Sequence, residues 1–284
     1  MPPLNVPVRT DALRLVSVDP NMSADRSWLL AALGGSEPYA VQSAALTVLG
    51  RLDDPIVLSA LIQGWPVLTP ALRREAVAAL LFRNNRVAGV MAALQDRRID
   101  PADVPPFQKN LLRTFQDPAI SGSALRLFGP VPIHRLEAVQ QFAPALDLKG
   151  ASDRGREIFT SRCAACHESV GSAESLGLSL VQAKIGGKRK ILTAILEPNA
   201  ELQPEGAASV VETGAGEVLI GLLLNENPTT ITLGQPIGVR IVLSRGNVRS
   251  SLAQPWSFMP AGLEEGLSAQ DMADLLEYVM TVPR

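Results

Sequence analysis

Between about residues 21 and 146 the apolar positions recur three and four apart in short runs, the spacing of amphipathic helices rather than strands. Ala40, Val41, Ala44, Ala45, Val48 and Leu49 form one stripe behind Ser36-Glu37-Pro38, where an N-cap hydroxyl precedes a first-turn proline. Thr69-Pro70 repeats that start signal ahead of Leu72, Val77, Leu80 and Leu81, with the helix formers Arg73, Arg74 and Glu75 between them. Asp100-Pro101 and Asp117-Pro118 predict two further starts, and partner segments fall at 28–33, 56–61, 87–94, 107–115 and 124–128. Residues 1–20 are proline-rich and read as an irregular segment.

Short helix pairs recurring every 30 to 45 residues or so predict, over 21–146, an α-solenoid of HEAT-like pairs, with a plain helical bundle as the alternative. The texture changes at the polar link Asp147-Leu148-Lys149-Gly150-Ala151-Ser152, which predicts a second domain over 150–284. A helix from Arg154 leads into a cysteine pair, and Lys190–Leu196 predicts another helix, stopped by Pro198. From Ser209 to Leu243 β-branched runs are broken by Gly214–Gly216, Asn225–Pro228 and Gly234–Pro236, which predicts four short strands in hairpins, a β insertion over about 207–245. The last helix, about Ser268–Met280, restores helical spacing with Met272, Leu275, Leu276, Val279 and Met280.

The chemistry concentrates in Cys163-Ala164-Ala165-Cys166-His167. Two thiols two residues apart match the vinyl groups of one haem, and the next residue supplies an imidazole for the iron from the same side; C-x-x-C-H is thus the attachment signature of a c-type haem. A dithiol redox pair and a zinc site also use C-x-x-C. The first belongs after a strand in a βαβ setting, which 150–168 lacks, and the second needs four N or S ligands where only His134 remains.

Electron-transfer haems close the iron's sixth position with Met or His, whereas catalytic ones leave it open. Met272 and Met280 lie on the apolar stripe of the last helix, where methionine fills cores. Met259 instead sits in Trp256-Ser257-Phe258-Met259-Pro260-Ala261-Gly262, which reads as a loop stiffened by Pro260, and is the expected axial ligand opposite His167. Bis-histidine ligation would need His134. Trp256 offers an indole N–H to a haem propionate or packs in the core, and Lys184, Lys188, Arg189 and Lys190 form either a solvated basic turn or a partner-docking patch.

Composition adds limits. The 284 residues suffice for two domains, and 46% hydrophobic with 19% charged residues indicates a folded globular chain. A formal net charge of −2 provides no basic field, so nucleic acid is not an expected partner. No apolar run has the length of a transmembrane segment, and Met1-Pro2-Pro3-Leu4 does not open an export signal. Covalent haem attachment takes place outside the cytoplasm, so the expectation is a periplasmic or otherwise exported protein whose leader lies on a longer precursor.

Four patches carry a family resemblance: Gly155-x-x-x-Phe159 before the cysteine pair, Ile195-Leu196-Glu197-Pro198-Asn199-Ala200, Ser257-Phe258-Met259-Pro260-x-Gly262-Leu263, and Asp274-Leu275-Leu276-x-Tyr278. Together, over about 150–282, they resemble the haem-binding domain common in membrane-bound dehydrogenase-type proteins of planctomycetes and verrucomicrobia, often preceded by HEAT-like helices and a propeller similar to quinone-dependent sugar dehydrogenases. The resemblance implies a mainly α chain: a HEAT-like solenoid, then a class I cytochrome c-like domain with a small antiparallel β insertion. It implies one covalent haem c on Cys163 and Cys166, with His167 and Met259 on the iron and Phe159, Leu180, Trp256 and Pro260 around it. Gly155 and Phe159 would cross the last helix near Tyr278. The family usually has Gly-Pro-Asp-Leu after the motif; here Gly177-Leu178-Ser179-Leu180 lacks the proline whose carbonyl receives the imidazole N–H. No dehydrogenase site is detectable, so the chain is expected not to be an enzyme but to pass electrons from a fused dehydrogenase or a redox protein partner to a periplasmic acceptor. The competing expectations are a haem-based sensor or peroxidase-like enzyme with an open distal site, and a HEAT-like interaction scaffold.

Overall fold

A computed structural model describes residues 5–16, 26–167, 176, 180–236 and 239–282. Its helices and strands divide between two compact units, Met1–Pro130 with Glu212–Leu219, and Val131–Val211 with Ile220–Arg284.

The first unit holds α1 (Val6–Val16), α2 (Arg26–Ala31), α3 (Tyr39–Arg51), α4 (Ile56–Gln63), α5 (Pro70–Leu81), α6 (Asn84–Gln95), α7 (Pro106–Arg113) and α8 (Pro118–Phe128). α3 packs between α1 and α5, and α5 meets α7; α4, α6 and α8 make a second succession. The apolar stripes named from sequence supply the contact: Val41, Ala45, Leu49, Val77 and Leu80 are fully buried. Thr69 caps α5 by accepting the Leu72 N–H at 3.3 Å, and Asp117 caps α8 through the Ala119 N–H at 2.8 Å. Elsewhere the start signals mislead. Pro38 rather than Ser36 precedes α3 and gives no side-chain cap, Asp100-Pro101 opens only a single 3₁₀ turn, and 124–128 is the end of α8 rather than a separate helix. Val6–Val16 is helical where the prolines predict irregular chain.

The second unit contains α9 (Leu136–Phe142), α10 (Ser152–Arg162), α11 (Leu180–Ala183), α12 (Gly187–Leu196) and α13 (Ala269–Thr281), together with most of a sheet. The strands β1 (Ala207–Thr213), β2 (Val218–Glu226), β3 (Thr230–Gln235), β4 (Val239–Ser244) and β5 (Val248–Ser257) lie in the order β4-β3-β2-β1-β5. β3 and β4 pair antiparallel from Thr230↔Ser244 to Gln235↔Val239, while the β2–β3 ladder slips between Leu223 and Asn225, a bulge. Phe142 and Ala145 are buried in the apolar cluster of this unit, so α9 belongs with it although it precedes the polar link at 147–152.

These elements correct the expected fold class. Among the described residues 56% are helical and 16% lie in a five-stranded antiparallel sheet, a mixture of α and β rather than a mainly α protein, and a class I cytochrome c-like domain with a small insertion is not what this architecture shows. The additional strand is β5, which takes in Trp256 and Ser257. The sequence places those two residues in the loop stiffened by Pro260; they instead end β5, which is a sheet edge, the position in a sheet where a proline such as Pro255 is tolerated.

Candidate functional site

The cysteine motif forms at the C-terminus of α10, after Arg162. The Cys163 N–H donates to the Phe159 carbonyl at 2.8 Å, and Ala164 donates to the same oxygen at 2.9 Å, closing the helix. The Cys163 carbonyl then accepts from Cys166 at 3.1 Å and His167 at 2.9 Å, so both thiols and the imidazole belong to one turn. The Leu176 N–H returns to the Cys166 carbonyl at 3.0 Å, and the Leu176 side chain occupies the space a Cβ on Gly234 of β3 would fill, 2.2 Å from its δ carbon.

α10 lies directly on α13. A Cβ on Gly155 would fall 2.0 Å from the Asp274 carbonyl oxygen, so only glycine permits this approach. One turn later Phe159, buried, sets its ring 5.2 Å from that of Tyr278 at 51°. The Asp274 carboxylate, 1% exposed, accepts the Ala151 N–H at 2.7 Å and the Gln270 amide at 2.9 Å, fixing the start of α10 to α13. Ser268 and Asp271 form a reciprocal capping box at the first turn of α13.

One apolar cluster joins these pieces. Phe159, Ile191, Leu192, Ile195, Leu196, Met272, Leu275, Leu276 and Val279 are among its buried members, with Phe142 and Ala145, and Cys163, Ala164, Leu180 and Met259 are half-buried against it. The structure thus brings Phe159 and Cys163 from α10, Leu180 from α11 and Met259 from the loop after β5 against a single cluster, three separate segments of the chain. Met272 is fully buried in that cluster. Trp256 is fully buried in β5. His134 is exposed, with its Nδ1 3.5 Å from the Glu197 carboxylate. Gly177, Leu178 and Ser179, where the family's proline would stand, lie outside the described residues.

The loop from Met259 to Leu267 is tied down along its length. The Met259 N–H donates to the Ser257 hydroxyl at 3.0 Å, Phe258 donates to the Gly206 carbonyl at 2.9 Å, and Ser257 donates to the Asn199 side-chain oxygen at 2.8 Å. Asn199 also donates to the Pro132 carbonyl at 2.9 Å. Gly262, at φ 94°, makes the turn after Pro260. Two arginines then reach the loop. Arg162 donates to the carbonyls of Leu263 and Glu265, each at 2.8 Å, and Arg135 pairs with the buried Glu264 at 2.6 Å while its own N–H goes to Glu197 at 2.7 Å. Neither is visible from sequence, because an arginine whose partner lies a hundred or more residues away leaves no local pattern. Lys184 and Lys188, read as a solvated turn or docking patch, are engaged within the unit: Lys184 with the Val282 carbonyl and Lys188 with Glu277 at 2.6 Å.

The thiols' electrostatics separate the chemistries open to a C-x-x-C pair. Burial pushes the Cys163 thiol up to about 11; the neighbouring Arg162 cation opposes that shift and Cys166 adds to it. Burial raises Cys166 as well. A dithiol exchange centre needs the opposite, a depressed thiol, and a structural zinc site needs thiolates joined by further donors. Among the described residues no three His, Cys, Asp or Glu side chains gather as a metal-binding group. Two protonated thiols and an imidazole in one turn, beside an apolar surface that also carries a methionine, fit a covalently held haem by donor chemistry. Among the described residues, no helix is long and apolar enough to cross a membrane. No protein-family model matches this chain, and no curated protein matches it.

Proposed function

We propose that this chain carries one haem c, held by thioethers from Cys163 and Cys166 with His167 and Met259 as the axial pair, and that it transfers electrons. The observation that carries this reading is the meeting of Cys163 and Met259 on one apolar cluster, although 95 residues of sequence and a five-stranded sheet separate them.

When bound, haem c supplies a one-electron couple whose potential follows its axial ligands and burial. Each cysteine would add its S–H across one vinyl double bond, the sulfur joining one carbon and the hydrogen the other, with no net oxidation. Phe159 and Leu180 offer apolar contact beside Cys163, excluding water, and Pro260 stiffens the backbone next to Met259. Because attachment requires export, the site of action is periplasmic or otherwise extracytoplasmic. The donor would be a dehydrogenase, fused or separate, and the acceptor a second redox protein.

The ferric visible spectrum tests the reading. A far-red methionine-to-iron band that resists exogenous ligands supports it. A high-spin spectrum that shifts at once with cyanide, and a ferrous form that takes up carbon monoxide quickly, would instead indicate the open site of a sensor or peroxidase.

A further inference from the structure

Arg162 occupies an unusual place for a charged side chain. It is the last residue of α10, adjacent to Cys163, yet its guanidinium is spent on the main chain of the loop that begins with Met259. A single Nη donates to two carbonyls two residues apart, which a flexible ammonium reproduces poorly because the planar guanidinium fixes its N–H directions. The loop's ends are already anchored, Met259 and Leu267 both packing on the apolar cluster. Its middle, Leu263 to Glu265, has Arg162 on one side and the Arg135–Glu264 pair on the other.

The two arginines differ in what they hold. Glu264 is 4% exposed, and its second carboxylate oxygen has no hydrogen-bond partner, so Arg135 neutralises a buried charge that would otherwise oppose folding. Arg162 touches no carboxylate in the loop. Its two bonds join the residue preceding the thiols to the segment following the methionine, and that linkage is the property of interest.

We infer that Arg162 is a positioning residue for Met259, setting the distance between the cysteine turn and the methionine loop in the polypeptide itself before any prosthetic group is attached. This rests on the proposed haem reading. Its consequence is that Met259 reaches the iron without a loop having to be ordered at that moment, so methionine ligation survives perturbations that an unrestrained loop would not.

The test uses the full chain produced with haem-attachment machinery, comparing wild type with Arg162→Gln, Arg162→Lys and the control Arg154→Gln, whose arginine pairs with Asp271 at 3.0 Å and Asp274 at 3.5 Å on α13 and not with the carbonyls of the loop. In Arg162→Gln the covalent haem content stays at the wild-type level, the far-red methionine-to-iron band weakens, and carbon monoxide binds the ferrous form on the order of tenfold faster. Arg162→Lys recovers the band only in part, and Arg154→Gln leaves it unchanged. Hydrogen exchange on the unloaded protein gives an independent reading: amides of 257–265 exchange on the order of tenfold faster in Arg162→Gln than in wild type. If exchange over 257–265 is the same in both proteins, the inference is overturned, whatever the haem content. If exchange rises but wild type carries no covalent haem, the haem reading fails and the positioning role for an iron ligand fails with it. If both hold but the band is indifferent to Arg162→Gln, the arginine is structural only and the inference is overturned.

Discussion

Two arginines in this protein use the same bond type for opposite ends. Arg86, 2% exposed in the first unit, donates to the carbonyls of Leu49 and Gly50 at 3.4 and 3.1 Å and also to that of Leu52, so it satisfies the C-terminal acceptors of α3 from inside a core. Burial, with the nearby Arg83 adding to it, lowers its pKa to about 10, partly offset by Asp53 and Asp54. Arg162 is half-exposed and bridges two segments that carry proposed iron ligands. Guanidinium-to-carbonyl bonding thus satisfies one helix end in the first case and, in the role proposed for Arg162, sets the position of a loop relative to a motif distant in the chain.

The most severe way to disturb the second arrangement is at the helix crossing. Gly155→Val drives a side chain into the Asp274 carbonyl and should cost about 4 kcal/mol or more, read as loss of the unfolding transition of the second unit and of haem incorporation. Arg86→Met is expected to cost about 3 kcal/mol by leaving buried carbonyls unpaired, while leaving the visible spectrum of the loaded protein untouched. If Arg86→Met altered the methionine band, the contrast between the two arginines would fail.

Alkaline pH gives the next effect. The folded pKa of Cys163 is raised to about 11 from an ordinary 9.0, so its contribution is fully present below pH 9 and is lost as pH rises towards 11, because the unfolded chain gives up the proton first. Chemical denaturation of the unloaded protein should show up to about 2–3 kcal/mol lost across that window. The loss should shrink in Cys163→Ala, where only the smaller contribution of Cys166 remains, and the thiol contribution should vanish in the haem-loaded protein, whose two cysteine sulfurs can no longer ionise. The smallest expected change is Ser268→Ala, about 1 kcal/mol from the broken capping box at α13, seen as a lower thermal midpoint with the spectrum unchanged.

How far the sequence reached depends on how local each signal is. Thr69 and Asp117 cap helices by bonds to residues two or three positions on, so proline and hydroxyl or carboxylate spacing reveals them. The turn holding Cys163, Cys166 and His167 is equally local. Pro255 shows the reverse: its meaning depends on β5 being an edge strand, and strand order is a property of the whole sheet. For the same reason the sequence predicts four strands in a small insertion where the sheet has five. Pro260 marks Met259 in the sequence by stiffening its neighbourhood, yet what holds its loop is Arg162, Arg135 and Asn199, whose partners are distant in the chain. Such contacts carry no periodicity and no spacing rule.

The central claim is that Cys163 and Cys166 hold a haem. Intact-mass measurement with a pyridine haemochrome assay, on protein produced with export and haem-attachment machinery, tests it most directly. The account predicts the polypeptide mass plus that of one haem, with an absorption characteristic of two thioether links, and loss of both in Cys163→Ala/Cys166→Ala. A mass equal to the bare polypeptide under those conditions would contradict it.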